Sequence, residues 1–347
     1  MVMEMMKSLI VKADGKLVVE EVPKPVIGEY EALVKMVACG ICNGTDAKII
    51  EGKFKGLDNY PLMLGHEGVG RVEAVGREVK KYQIGDLVLL PFASDSSGQN
   101  ESGWGAFSEY ATVADGAEML AQRLVDETHF SFGQSVVPTD VDPVDAAMII
   151  TLREVLASIR TFGVTSDSKV VVFGCGPVGV TFTKFMDLLG VSQITVIDLD
   201  ESKREVALSN GATQFLHGGS TDVVAILKEQ FPDGVDFVID AVGHEAVINQ
   251  GLKIIRDRGN ICVYGVPAST KLKLDFSEAP YNWNLIFQQM PSKKEEGEAH
   301  EQVLTWLHNG DIVLKDYISH YMPFDQVLEA FDLLATGQIP LKCIITF

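Results

Sequence analysis

Residues 170–179 read Val170-Val171-Val172-Phe173-Gly174-Cys175-Gly176-Pro177-Val178-Gly179. A short apolar run passes directly into G-x-G-x-x-G, and an apolar stretch of helical character follows. A second apolar run, residues 194–197, ends on Asp198. Strand, glycine loop, helix, strand and acid in that order are the signature of a dinucleotide-binding βαβ unit. Gly174 allows the tight turn out of the strand, Gly176 lets the backbone come up to a pyrophosphate, and Gly179 lets the helix lie close to the sheet. The helix start offers unpaired N–H groups and the positive end of its dipole to phosphates. Pro177 and Val178 belong to the same cofactor-facing turn. Asp198 lies somewhat beyond the usual offset of about twenty residues, but it ends its strand as the motif requires. A carboxylate there accepts from a ribose 2′-hydroxyl and repels a 2′-phosphate, so NAD is expected rather than NADP. The plainer alternative is a glycine-rich turn in some other α/β protein.

Working outward, 347 residues leave room for two domains, and 46% hydrophobic residues are enough for real cores. A net charge of −19 argues against a nucleic-acid partner, which needs a Lys/Arg surface. Five cysteines, an odd and sparse set, do not form a secreted disulfide framework. The methionine-rich start, residues 1–6, contains Glu4 and lacks the apolar core of a signal peptide. No apolar run is long enough to span a bilayer. A cytoplasmic protein without a membrane partner is the expectation.

The first third reads as strands, with apolar runs at 32–37, 69–75 and 86–90 separated by Gly, Pro and Asp. Residues 143–162 read as one helix, with Asp142 as N-cap and Pro143 at the first position. Beyond it strands and helices alternate: strands at 169–173, 193–198, 214–216, 235–240 and 259–264, and helices to 189 and at 202–210, 222–230 and 245–255. Such alternation implies a parallel doubly wound sheet. A charged helical stretch at 295–308 and an apolar strand at 343–347 follow, and this tail is expected to return to the first domain.

Two further motifs lie in the β-rich part: Cys39-Gly40-Ile41-Cys42-Asn43-Gly44-Thr45-Asp46, and Leu64-Gly65-His66-Glu67-Gly68 running on to Gly76. Cys, His and Glu are zinc-binding residue types, and a catalytic zinc needs three protein ligands and one open position. Taken singly, a cysteine is more often a small buried hydrophobe, and a lone C-x-x-C can be a redox pair.

With these motifs the chain resembles the zinc-dependent medium-chain dehydrogenase/reductase family, nearest in pattern to its sorbitol- and threonine-type members. Gly85-Asp86-Leu87-Val88, Gly105-Ala106-Phe107-Ser108-Glu109-Tyr110, Asp240-Ala241-Val242-Gly243 and Arg258-Gly259 through Gly265 also match. The resemblance implies an α/β fold, with a GroES-like β-rich catalytic domain at 1–154 and 288–347 and a Rossmann NAD-binding domain at 155–287. It places the active site in the cleft between them. It implies Cys42 and His66 as zinc ligands, with Glu67 a direct or near ligand. Thr45 would take the substrate's proton and Asp46 would orient a ligand. Val242, Gly265 and Val266 would contact the nicotinamide end, and Lys203 the adenosine ribose. A small alcohol or ketone substrate and a dimer or tetramer, often joined through the sheet edge near 259–266 and beyond, are implied as well.

The chain departs from the family in four places. Residues 91–103 contain no cysteine where many members carry a four-cysteine lobe, so one catalytic zinc and no structural zinc are expected. Asn43 or Gly44 is an extra residue, which keeps Cys39 in play as an alternative ligand. A family ligand on the helix entering the Rossmann domain falls on Ile150, which cannot ligate. Glu154, one turn later, either reaches the metal or the nicotinamide end or is an unrelated carboxylate. Lys48 stands where a proton-relaying histidine is common. The favoured expectation is an NAD-dependent, zinc-dependent dehydrogenase of a secondary alcohol: a polyol, sugar or amino alcohol. A zinc-free quinone or enone reductase and a redox-responsive NAD-binding protein are the alternatives.

Overall fold

The computed structural model describes residues 4–267, 269 and 271–347, so Met1, Val2 and Met3 of the methionine-rich start lie outside the described residues. The chain divides into two compact units, Met1–Arg153 with Ser292–Phe347, and Glu154–Pro291. Among the described residues no helix is long and apolar enough to cross a membrane.

The second unit is built on a six-stranded sheet, parallel throughout. From edge to edge its strands are Gln214–His217, Gln193–Asp198, Lys169–Phe173, Val235–Asp240, Ile255–Val263 and Trp283–Phe287. Val170, Val171 and Val172 are all buried, the near-continuous apolar run expected of a strand covered on both faces. The order reverses between Lys169–Phe173 and Val235–Asp240, which is the crevice where such sheets bind ligands. The connecting helices are Pro177–Leu188, Arg204–Ser209, Val223–Gln230 and Glu245–Ile254. Asp222 starts the third by accepting from the Ala225 N–H at 3.1 Å.

Two expectations need correction. No strand is expected between 264 and 295, yet Trp283–Phe287 forms the sheet edge outside Ile255–Val263. Its five residues show no strict alternation, as an edge strand in a parallel sheet need not. The helix expected over 143–162 is two pieces, a 3₁₀ turn Asp145–Ala147 and the α-helix Met148–Phe162. The Asp142 carboxylate accepts from Val144 and Asp145 N–H groups. The Asp145 carboxylate accepts from the Tyr321 hydroxyl at 2.6 Å. Together they fasten a turn where the helix was expected to begin.

In the first unit a seven-stranded sheet runs Ile318–Pro323, Lys342–Thr346, Glu31–Gly40, Glu67–Val75, Leu87–Leu89, Ser135–Val137, with Tyr110–Ala114 also paired to Glu31–Gly40. A four-stranded sheet, Leu17–Pro23, Met5–Val11, Leu62–Met63, Glu101–Ser102, accompanies it. Side chains such as Leu9, Ile10, Val34, Phe107 and Ile345 are fully buried in their core. Each contributes about 1.5–3 kcal/mol of burial. The tail strand Lys342–Thr346 is interior to its sheet, with a partner on each side.

The helix Lys293–Asn309 opens with a Ser292/Glu295 capping box. It carries His300, which is 5% exposed. The His300 Nε2 lies 2.9 Å from the Val136 carbonyl. Burial pulls its pKa from 6.5 down to about 4, Arg153 and Lys81 add to the fall, and the Val136 carbonyl opposes it. The unfolded chain therefore takes up the proton first. The stabilisation is complete above pH 6.5 and is lost as pH falls from 6.5 toward 4. Its full size is about 3 kcal/mol. The urea midpoint is expected to drop between pH 7 and 5, and His300→Gln to flatten that slope. Equal slopes in the two proteins would remove His300 as the cause.

Candidate metal centre and dinucleotide loop

Register decides what meets at one end of the seven-stranded sheet. Glu31–Gly40 runs antiparallel to Glu67–Val75, with Gly40 opposite Glu67 and Cys39 opposite Gly68. The chain leaving the first strand, Ile41 and Cys42, and the chain entering the second, Gly65 and His66, therefore emerge side by side. On the other flank Lys342–Thr346 is also antiparallel, with Ile344 opposite Gly40. The Ile41 N–H donates to the Cys343 carbonyl at 2.9 Å. Gly40 has no room for a side chain, since a Cβ there would strike the Glu67 carboxylate.

Cys42, in extended conformation, is the N-cap of the helix Asn43–Ile50. One turn on, Asp46 is fully buried. Its Oδ2 accepts from the Cys42 N–H at 2.9 Å. Its Oδ1 faces His66 Nδ1 at 3.3 Å, a charge contact lacking the alignment of a full hydrogen bond. One carboxylate thus holds both chain segments, and with Nδ1 turned to Asp46 the nitrogen of His66 left to face a metal ion is Nε2. Burial opposes charge on His66, but the Asp46 carboxylate and the Cys42 sulfur outweigh it and hold its pKa well above the ordinary value.

Glu67 is buried and ionised. Its Oε1 accepts from Thr151 Oγ1 at 3.2 Å and from Lys342 Nζ at 2.8 Å, and its Oε2 accepts from Lys342 Nζ at 2.7 Å. Burial pushes its pKa up, but Lys342, His66 and the Thr151 hydroxyl bring it below the usual value.

Among the described residues, one set of His, Cys and carboxylate side chains is close enough to hold a metal ion: Cys42, His66 and Glu67, with ligand atoms all within 4.8 Å of one another. A tetrahedral zinc holds its donors about 3.4–3.8 Å apart, so small side-chain movements bring this set onto an ion. Thiolate, imidazole and carboxylate are the zinc donor types. The residues present fit the metal.

Glu154 and Cys39 are outside this set. Glu154 is half-buried on the helix Met148–Phe162 and belongs to the second unit. Cys39 is fully buried with its thiol 3.7 Å from the Gly40 carbonyl. Burial, then Asp46 and Glu67, push its pKa well up, which keeps it a thiol. Thr45 lies on the same helix as Asp46 and is 9% exposed. Partial burial lowers the pKa of Lys48.

The Trp104 ring sits 5.3 Å from His66 and 5.7 Å from Phe54, forming an aromatic wall beside the centre. The cysteine-free loop leading to Trp104 is organised on Asp95, which accepts from the backbone and side chains of Ser97 and Asn100.

In the second unit Gly174 has φ +99°, and a Cβ on Gly179 would strike the Gly174 carbonyl. A Cβ on Gly176 would meet nothing within 4 Å. Among the described residues nothing fills the space beside Gly176, which leaves the helix start open to a ligand. Asp198 Oδ2 accepts from the Cys175 N–H at 2.6 Å and Oδ1 from the Asp200 N–H at 2.9 Å, tying the acid to the glycine loop. The Lys203 carbonyl accepts from the Cys175 thiol at 3.8 Å. Val242 is exposed and Val266 half-buried, while Gly265 packs against Gly243. Asp240 joins their loops: Oδ1 accepts from Val242 and Gly243 N–H groups, and its carbonyl accepts from Tyr264 and Gly265.

Sequence patterns alone did not point to Lys342 or Thr151, and they gave Asp240 no task. No local signal marks Lys342, whose partner is 275 residues away. A carboxylate ending a strand before Val-Gly was the available cue for Asp240.

A family model described as alcohol dehydrogenase GroES-like domain matches residues 28–122, and one described as zinc-binding dehydrogenase matches residues 177–289. The chain is 25% identical to sorbitol dehydrogenase of Bombyx mori, over 92% of each chain. It is 26% identical to L-threonine 3-dehydrogenase of Symbiobacterium thermophilum, over 92% of this chain and 91% of that one. The crystal structure of benzyl alcohol dehydrogenase from Acinetobacter calcoaceticus matches with a TM-score of 0.82 at 23% identity, over 99% of both chains.

The chain belongs to the zinc-type medium-chain alcohol dehydrogenase family. Its first unit is the GroES-like β-rich part of this family's fold and its second the Rossmann sheet. The GroES-like match spans Cys42, Thr45, Asp46, His66 and Glu67, and the other match spans Gly179, Asp198, Val242 and Gly265. Thr151 and Lys342, the two side chains on Glu67, lie outside both matches.

Proposed function

We propose that this alcohol-oxidising oxidoreductase is a zinc-dependent, NAD-linked dehydrogenase of a secondary alcohol (a polyol, sugar or amino alcohol). The gathering of Cys42, His66 and Glu67, with Cys42 and His66 held by the Asp46 carboxylate, carries the reading. Cys42, His66 and Glu67 would hold one zinc. Bound there, the ion would supply a Lewis acid that makes a hydroxyl group easier to deprotonate, and NAD would supply the hydride acceptor. Asp46 fixes the tautomer of His66 and the backbone of Cys42. Thr45 takes the proton leaving the alcohol hydroxyl and passes its own on toward a cofactor hydroxyl or solvent. Trp104 and Phe54 exclude water from one side of the reacting carbon. The open edge strand Trp283–Phe287, with Phe287 and Tyr281 exposed, supports a second copy of this chain adding there to make a dimer.

Metal analysis of the purified protein together with an NADH-absorbance screen of polyols, sugars and amino alcohols tests the reading. One zinc per chain and chelator-sensitive NAD reduction are expected. Unchanged activity in a chelator would remove zinc from the mechanism. Asp198 carries the cofactor preference. Asp198→Ser is expected to lower the ratio of kcat/KM with NAD to that with NADP about a hundredfold, through loss of ribose hydrogen bonds and of repulsion toward a 2′-phosphate. A ratio that stays put would place the discrimination elsewhere.

A further inference from the structure

Two cations have a claim on Glu67. A carboxylate offers about four lone-pair positions. Three are taken: Oε1 receives Thr151 Oγ1 and Lys342 Nζ, and Oε2 receives Lys342 Nζ. The remaining position is on Oε2. A metal ion entering there comes within reach of the Lys342 ammonium, whose side chain is 10% exposed and so little screened by water. Either the ammonium withdraws or it repels the ion. Both lower the affinity for metal. With no metal bound, the same ammonium is what lets Glu67 remain charged inside the fold, since a buried carboxylate without a partner is strongly destabilising.

We propose that Lys342 is a positioning residue that competes with the metal for Glu67 and thereby sets how tightly the centre holds zinc. The inference rests on reading Cys42, His66 and Glu67 as the zinc ligands. The fold makes the competition possible. Ile344 pairs with Gly40, and Gly40 pairs with Glu67, so the start of the tail strand is delivered to the carboxylate by register. A side chain without charge at position 342 gives Glu67 to the metal alone. Arginine keeps the contest.

The test is zinc titration of the metal-stripped full chain against a chromophoric chelator, in wild type, Lys342→Gln, Lys342→Arg, Glu67→Gln and the double variant Glu67→Gln/Lys342→Gln. Lys342→Gln is expected to bind zinc about 10–100-fold more tightly than wild type, and Lys342→Arg to stay near wild type. The gain from Lys342→Gln should vanish in the Glu67→Gln background, which a merely structural lysine would not produce. Equal or weaker binding by Lys342→Gln overturns the competition. A wild-type chain that takes up no zinc overturns the metal-centre reading itself, a separate result. Should Lys342→Gln fail to fold without metal, zinc release from protein purified with zinc into excess chelator decides the same question. Release slower than wild type supports the competition, and release as fast or faster overturns it.

Discussion

Cys42→Ser is expected to release zinc and to lower kcat/KM by about a thousandfold or more, about 4 kcal/mol of transition-state stabilisation. Sulfur is the one soft donor in the set with His66 and Glu67. A serine hydroxyl in its place is neutral at physiological pH and a poor zinc ligand. The Cys42 backbone stays where it was, because its N–H still donates to Asp46 and its carbonyl still accepts from the Asp46 N–H at 3.0 Å. The loss is therefore confined to the donor atom. Cys39→Ala is the companion measurement. That thiol is fully buried and lies outside the ligand set, so zinc content and kcat should survive at a cost of about 1 kcal/mol in packing. Retention of zinc by Cys42→Ser, with loss in Cys39→Ala, would reverse the assignment of the two cysteines.

Asp46→Asn is the second large effect, and it separates charge from shape. The carboxylate works through both oxygens: Oδ2 accepts from the Cys42 N–H, and Oδ1 faces His66 Nδ1. An amide of the same size has one acceptor. Turned one way, it sets its NH₂ against His66 and favours the tautomer with the proton on Nε2, which blocks ligation. Turned the other way, it sets NH₂ against the Cys42 N–H. Zinc affinity is expected to fall about 10–100-fold, with kcat falling in step. Far-ultraviolet circular dichroism should be unchanged, since Asp46 lies within a helix whose backbone hydrogen bonds are untouched. Wild-type zinc affinity in Asp46→Asn would mean that one acceptor suffices and that the charge and the second acceptor are not needed.

The nucleotide half was legible because its signals are local. Gly174, Gly179 and Asp198 lie within one βαβ unit, and each is explained by a backbone angle, a close approach or a strand end. The strand Val235–Asp240 was readable to the residue for the same reason. Cys42 and His66 were legible as residue types, but their meeting depends on the pairing of Gly40 with Glu67, which no spacing reveals. Lys342 and Thr151 were not legible at all. Each acts on Glu67 only after strands and helices distant in sequence have docked. Trp283–Phe287 was not read as a strand, and its place as the outermost strand is a fact of sheet order rather than of composition.

The seating of the tail strand also bears on biosynthesis. Glu67 leaves the ribosome 275 residues before the lysine that neutralises it. Until Lys342–Thr346 has been made, Glu31–Gly40 lacks one neighbour, Ile318–Pro323 has nothing to pair with and Glu67 lacks its ammonium, so this end of the sheet is completed late in synthesis.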